Sequence, residues 1–184
     1  MRTTSSSRRL GPNIHWPIIF GSFMGIAVCA ALWWLYFDVV ALVAEDVLRN
    51  APEKERPRLA RDSYTFLHLP MVAGIILMAL GLKKVFSHLD EPLPLTGVAV
   101  LYGGVSLYLW AHVAFRLRNI RTLNKQRTVV ATLLLVLIPV ATRVSSLAAL
   151  AVLTVILVGL VAYEVRHFAQ LRERIRHGEP SARP

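Results

Sequence analysis

WPIIFGSFMGIAVCAALWWLYFD, residues 16–38, decides the solvent this chain is built for. Between Arg9 and Glu45 the only charged residue is Asp38, and about 20 predominantly apolar residues are what a helix needs to cross the hydrocarbon core of a bilayer. The rest of the chain repeats the pattern. Of 184 residues 55% are hydrophobic and the mean hydropathy is +0.51, above the apolar share of a typical soluble domain. The 21 Lys/Arg and 11 Asp/Glu gather in short segments between long apolar runs. A net charge of +10 would suit nucleic acid if the bases formed one patch. Here they flank apolar runs, as arginines facing lipid headgroups do, so the expected partner is the lipid bilayer and not nucleic acid. The single cysteine, Cys29, lies inside the first run; it allows no intrachain disulfide and reads as a small packing residue.

Five segments approach spanning length: Pro17 to Phe37, Tyr64 to Leu82, Leu95 to Phe115, Thr128 to Thr142 and Val144 to Tyr163. The fold class expected is therefore all-α, a polytopic integral membrane helical bundle with about five transmembrane helices. The bundle occupies 14–168, between a Ser/Arg-rich tail at 1–13 and a basic cytoplasmic tail at 169–184. SSSRRLGPNIHW before the first run has the look of a signal-peptide n-region, but the run is too long and too aromatic for a typical h-region. The fourth segment is short, so Arg127 and Arg143 at its ends are expected to snorkel to the interfaces. Residues 128–163 read as one helix would reach roughly 54 Å at 1.5 Å per residue, too long for one crossing; two helices joined near Thr142 to Ser146 fit better.

Orientation follows from the positive-inside rule. Arg2, Arg8, Arg9, Lys83, Lys84 and Arg143 fall on one side and all the other Lys and Arg on the opposite one. The expected topology is N-terminus outside and C-terminus cytoplasmic, in a bacterial inner membrane. The connector EDVLRNAPEKERPRLARD, 45–62, mixes five acids with five bases and reads as a solvated loop. No glycine-rich phosphate loop, CxxC pair or HExxH is present, so enzymatic activity is not the leading expectation and no cofactor is expected.

Ionisable residues inside the spans are costly and face the bundle interior. Asp38, His68 and His112 each lie a few residues inside the cytoplasmic ends of their helices, roughly 6 to 10 Å deep at 1.5 Å per residue. On the third span Gly104, Tyr108, His112 and Arg116 recur every four residues and form one stripe with Gly97 behind; Tyr64 and His68 are an i, i+4 pair on the second. Small residues on a polar stripe indicate a face turned toward other helices. An Asp38–His68 hydrogen bond or ion pair is expected, with His112 and Arg116 beside it. Three roles remain open for this layer: proton or ion handling, since carboxylate-backed imidazole exchanges protons near neutral pH; a metal site on Asp38, His68 and His112; and interhelical glue. Trp16, Trp33, Trp34, Tyr36, Tyr64, Trp110 and Tyr163 read as interface aromatics. Gly21 and Gly25 have GxxxG spacing, and Glu164 reads as an interface ion pair with Arg166, His167 and Arg172 nearby.

ALWWLYFD (31–38), RDSYTFLHLPMVAGIILMALGLK (61–83) and LYGGVSLYLWAHVAFRLR (101–118) carry a resemblance to the bacterial low temperature requirement A (LtrA) family of multi-pass membrane proteins, over most of residues 14–165. Members are usually about twice as long, so the chain resembles a C-terminal half, and a missing N-terminal half or an oligomer is an expected partner. The resemblance implies a link to growth at low temperature and no settled substrate or reaction. The polar positions of the matching strings coincide with Asp38, His68, His112 and Arg116. The function expected is a transporter, channel or sensor for protons, ions or a small solute; a lipid-acting membrane enzyme and a helical scaffold subunit are the alternatives.

Overall fold

The computed structural model describes residues 16–37, 68–120 and 122–167, and these form five helices: α1 Trp16–Phe37, α2 His68–Ser87, α3 Leu95–Ile120, α4 Lys125–Ala141 and α5 Ser146–His167. Asp38, Tyr64 and the 45–62 connector lie outside the described residues. The chain is an all-α membrane bundle, and α1, α2, α3 and α5 are each long and apolar enough to cross a bilayer. At 17 residues α4 is the short member, as its sequence indicated. It starts at Asn124, whose Oδ1 accepts from the Arg127 backbone N–H at 3.3 Å, a side-chain cap for an otherwise unsatisfied donor. Pro139 sits in its last turn and removes a backbone donor. The chain then turns at 142–145 into α5, so 128–163 is two helices and not one.

The outer surface is apolar, unlike that of a soluble domain. Phe23, Ile26, Ile76, Val136 and Val155 are exposed, whereas the buried positions include Gly74, Gly81, Gly104, Ser106, His112 and Glu164. The core also holds large apolar side chains, Leu35, Leu101, Leu134 and Leu157 among them; what lipid adds is an apolar perimeter, because tails solvate leucine as well as protein does, so that close packing and polar bonds are what hold helices together.

The third helix is the hub. Against α2 it packs backbone to backbone: a Cβ on Gly104 would lie 2.6 Å from Met78 N, one on Gly74 2.7 Å from the Gly104 carbonyl oxygen, and one on Gly81 2.6 Å from Leu101 Cα. Toward the other three helices it sends hydroxyls. Tyr102 donates to the Ala149 carbonyl of α5 at 2.8 Å, Ser106 to the Ala131 carbonyl of α4 at 2.8 Å, and Tyr108 to the Leu32 carbonyl of α1 at 2.7 Å. The face marked by Gly97, Gly104, Tyr108 and His112 is indeed buried. The Gly21 and Gly25 pair is used differently from a backbone contact: the Phe86 ring covers both, 3.1 Å from a Cβ placed on Gly21 and 3.8 Å from one on Gly25.

At the end of the bundle that holds the α2–α3 and α4–α5 connections, the two loops are tied together. The Glu91 carbonyl accepts from Ser146 N–H at 2.9 Å and from Ser146 Oγ at 2.6 Å, and the Leu89 carbonyl accepts from Leu147 N–H at 3.1 Å. These carbonyls satisfy first-turn donors of α5 that the helix itself cannot.

Candidate functional site

Histidine 112 lies on the central stripe of α3 and is 2% exposed. Its Nδ1 is 2.9 Å from the Tyr108 carbonyl one turn earlier; a carbonyl only accepts, so Nδ1 carries the proton and donates. Nε2 is then the lone-pair nitrogen of a neutral imidazole. That atom is buried and has no hydrogen-bond partner among the described residues, although buried polar atoms are as a rule satisfied.

Aromatic rings enclose it. The Tyr108 ring centroid is 4.3 Å from that of His112. Tyr36 of α1 meets His112 edge-on at 6.0 Å and meets His68, the first residue of α2, edge-on at 5.6 Å. Both histidines therefore contact one tyrosine. The expectation that Tyr36 is an interface aromatic is corrected by this placement: half-buried, it stands between the histidines of two other helices.

A partly open cavity of about 390 Å³ adjoins the cluster. Its walls come from Cys29, Trp33, Tyr36 and Phe37 of α1, His68 and Met78 of α2, and Tyr108 of α3. The lining is mainly apolar and aromatic, with few polar groups, as in sites that hold small organic ligands. Cys29 is exposed at this cavity, which corrects its reading as a packing residue.

Of the residues singled out in the sequence, His68, Tyr108 and His112 come together around Tyr36. Arg116 does not join them: half-buried, its Nε donates to Thr122 Oγ1 at 3.1 Å, across the α3–α4 connection. Asp38 and Tyr64 lie outside the described residues. Among the described residues no three His, Cys, Asp or Glu side chains are placed to hold a metal ion.

A second polar cluster went unread in the sequence. Arg127, expected to snorkel, is 2% exposed, and Glu164 is 0% exposed. The guanidinium grips the carboxylate with two bonds, Nε to Oε1 at 2.9 Å and Nη2 to Oε2 at 2.8 Å, and Asn124 Nδ2 donates to Oε1 at 3.2 Å. Glu164 thus pairs across to α4, with Arg127 and Asn124; Arg172 lies outside the described residues. The signal was present: Arg127 starts one helix of a hairpin and Glu164 ends the other, which puts both at the same depth. Arg143, beyond the opposite end of α4, is exposed.

Apolar-faced helices around a central helix that carries buried histidine and tyrosine, with a cavity opening between α1 and α2, define a multi-pass helical membrane protein. The family model for bacterial low temperature requirement A protein (LtrA) matches residues 3–162, and the chain belongs to that family. Neither the curated proteins nor the solved structures contain a match to it. Membership links this membrane protein to low temperature.

Proposed function

We propose that the protein binds a small, mainly apolar solute in the cavity between α1, α2 and α3 and exchanges a proton with it or beside it, His112 and His68 being the proton-handling groups. The observation that carries this reading is His112 Nε2, a buried acceptor with no partner among the described residues. Its ring is fixed by the Nδ1 bond to Tyr108 and by two tyrosine contacts. A fixed, dry acceptor is suited to take a proton or a ligand's hydrogen bond, and histidine exchanges protons in the physiological range. Tyr108 and Tyr36 position the imidazole, and His68 reaches the cavity from the end of α2. Asp38 follows Phe37, a cavity-wall residue, directly in sequence and is assigned the carboxylate of the relay. The Lys/Arg excess near Arg116, Arg118, Lys125 and Arg127 supports a cytoplasmic position for this end of the bundle and a cytoplasmic C-terminus, in a bacterial inner-membrane protein.

Purified protein reconstituted into liposomes with a luminal pH dye tests the reading. Under an imposed pH gradient the wild type is expected to conduct protons above empty liposomes, and His112→Gln, His68→Gln and Asp38→Asn each to lower that flux at least about tenfold while melting as the wild type does. A wild type no faster than empty liposomes, or flux unchanged by these substitutions, overturns it.

A further inference from the structure

We infer that the protein carries a binding site for the phosphate of an anionic phospholipid headgroup in a second cavity, at the α2–α3 connection. This cavity of about 410 Å³ is bounded by Lys83, Lys84, Ser87 and His88, with Leu80 and Leu93 as apolar wall. Fifteen residues of α2 separate Lys83 from His68, roughly 22 Å along the axis, so the cavity is distinct from the histidine site.

The basic groups are positioned, not merely present. The Lys84 stem lies against Gly97 of α3, its Cδ 3.5 Å from where a Cβ on that glycine would stand. The stem is thus laid along α3, and the residue lines the cavity. Ser87 Oγ donates to the Lys83 carbonyl at 3.0 Å, within the last turn of α2. The one acid in the wall, Glu91, has His88 Nδ1 at 3.3 Å from its Oε2, and the two lysines outnumber it. Because the Glu91 and Leu89 carbonyls are bonded to the start of α5, the loop that forms the rim is anchored.

The apolar part of the wall selects a lipid over a free anion. Leu80 is exposed and continues the outward apolar surface of α2 through Ile76. A phosphodiester held by Lys83 and Lys84 would have its acyl chain leave along Leu80 and Ile76, where the bundle meets lipid tails. Lysines at a membrane surface attract anionic lipid by short-range, salt-screened electrostatics, and the pocket supplies a fixed depth for it.

Delipidated protein in neutral detergent, titrated with dioleoyl phosphatidylglycerol and read by native mass spectrometry, tests this. Lys83→Ala/Lys84→Ala is expected to weaken binding roughly thirtyfold, and Lys83→Ala alone, at an exposed position that cannot unfold the helix, roughly fivefold. Lys125→Ala at the opposite end is expected to change nothing, Glu91→Gln to tighten binding, and dioleoyl phosphatidylcholine to bind more weakly. Phosphatidylglycerol affinity unchanged by Lys83→Ala overturns the site. Inorganic phosphate binding with the same lysine dependence at the same concentration overturns the lipid assignment.

Discussion

Replacing Arg127 with Met keeps the aliphatic stem and removes the guanidinium from a carboxylate that is 0% exposed. Glu164 then retains one neutral donor, Asn124 Nδ2 at 3.2 Å, in place of two charge-assisted bonds at 2.8 and 2.9 Å. Breaking a buried pair by deleting one partner leaves a charge stranded where water does not reach, and costs about 3–5 kcal/mol. That is a large part of the roughly 5–15 kcal/mol by which folded proteins are typically stable. Removing both charges is different. Arg127→Met/Glu164→Leu leaves no stranded ion, so most of the lost stability is expected to return, and the double-mutant cycle isolates the coupling. Unfolding in mild detergent by sodium dodecyl sulfate titration, followed by circular dichroism, gives the free energies. A loss under about 1 kcal/mol for Arg127→Met would mean that the pair is solvated like a surface one. A double variant no more stable than Arg127→Met would mean that packing of the stem, not charge, is what the pair supplies. Either result refutes the reasoning.

Two further outcomes follow from the packing and the cavity. Gly104→Ala places a methyl 2.6 Å from Met78 N and 2.8 Å from the Gly74 carbonyl oxygen, and is expected to cost about 1–3 kcal/mol by forcing α2 and α3 apart; the adjacent Gly103→Ala meets nothing within 4 Å and is expected to be neutral or stabilising, by up to about 1 kcal/mol. Equal effects in the same unfolding titration would show that the close approach does not exist. Cys29, the only cysteine, is expected to react with a membrane-permeant maleimide, and the adduct to cut proton flux through the liposomes by filling the cavity. Full labelling with flux unchanged would separate the cavity from transport.

The candidate site was half legible from the sequence. Depth along a helix can be counted, so His68 and His112 were correctly placed near one level, and the stripe of Gly104, Tyr108 and His112 correctly faces the bundle. Tyr36 was misassigned because an aromatic near a span end looks the same whether it points to headgroups or to another helix. Arg116 shares the periodicity of the stripe, but it lies beyond His112 and finds Thr122 in the adjoining connection. Arg127 and Glu164 were each read against local neighbours, whereas the bond that holds them runs between residues 37 apart in sequence.

By itself the sequence determined that the chain is helical, that it is built for a bilayer, where four of its crossings lie, and that its charges collect at the ends of the helices. These properties are local: a run of apolar residues long enough to span hydrocarbon must satisfy its backbone within the segment, whatever surrounds it. Tertiary structure alone decided which faces meet. The rotation of each helix about its axis is set by where backbones can approach, at Gly74, Gly81 and Gly104, and by which carbonyls the hydroxyls of Tyr102, Ser106 and Tyr108 reach. Those contacts join residues far apart in the chain, and they are what turn α3 into the hub, bring two histidines to one tyrosine, and bury an arginine with a glutamate at the foot of the α4–α5 hairpin.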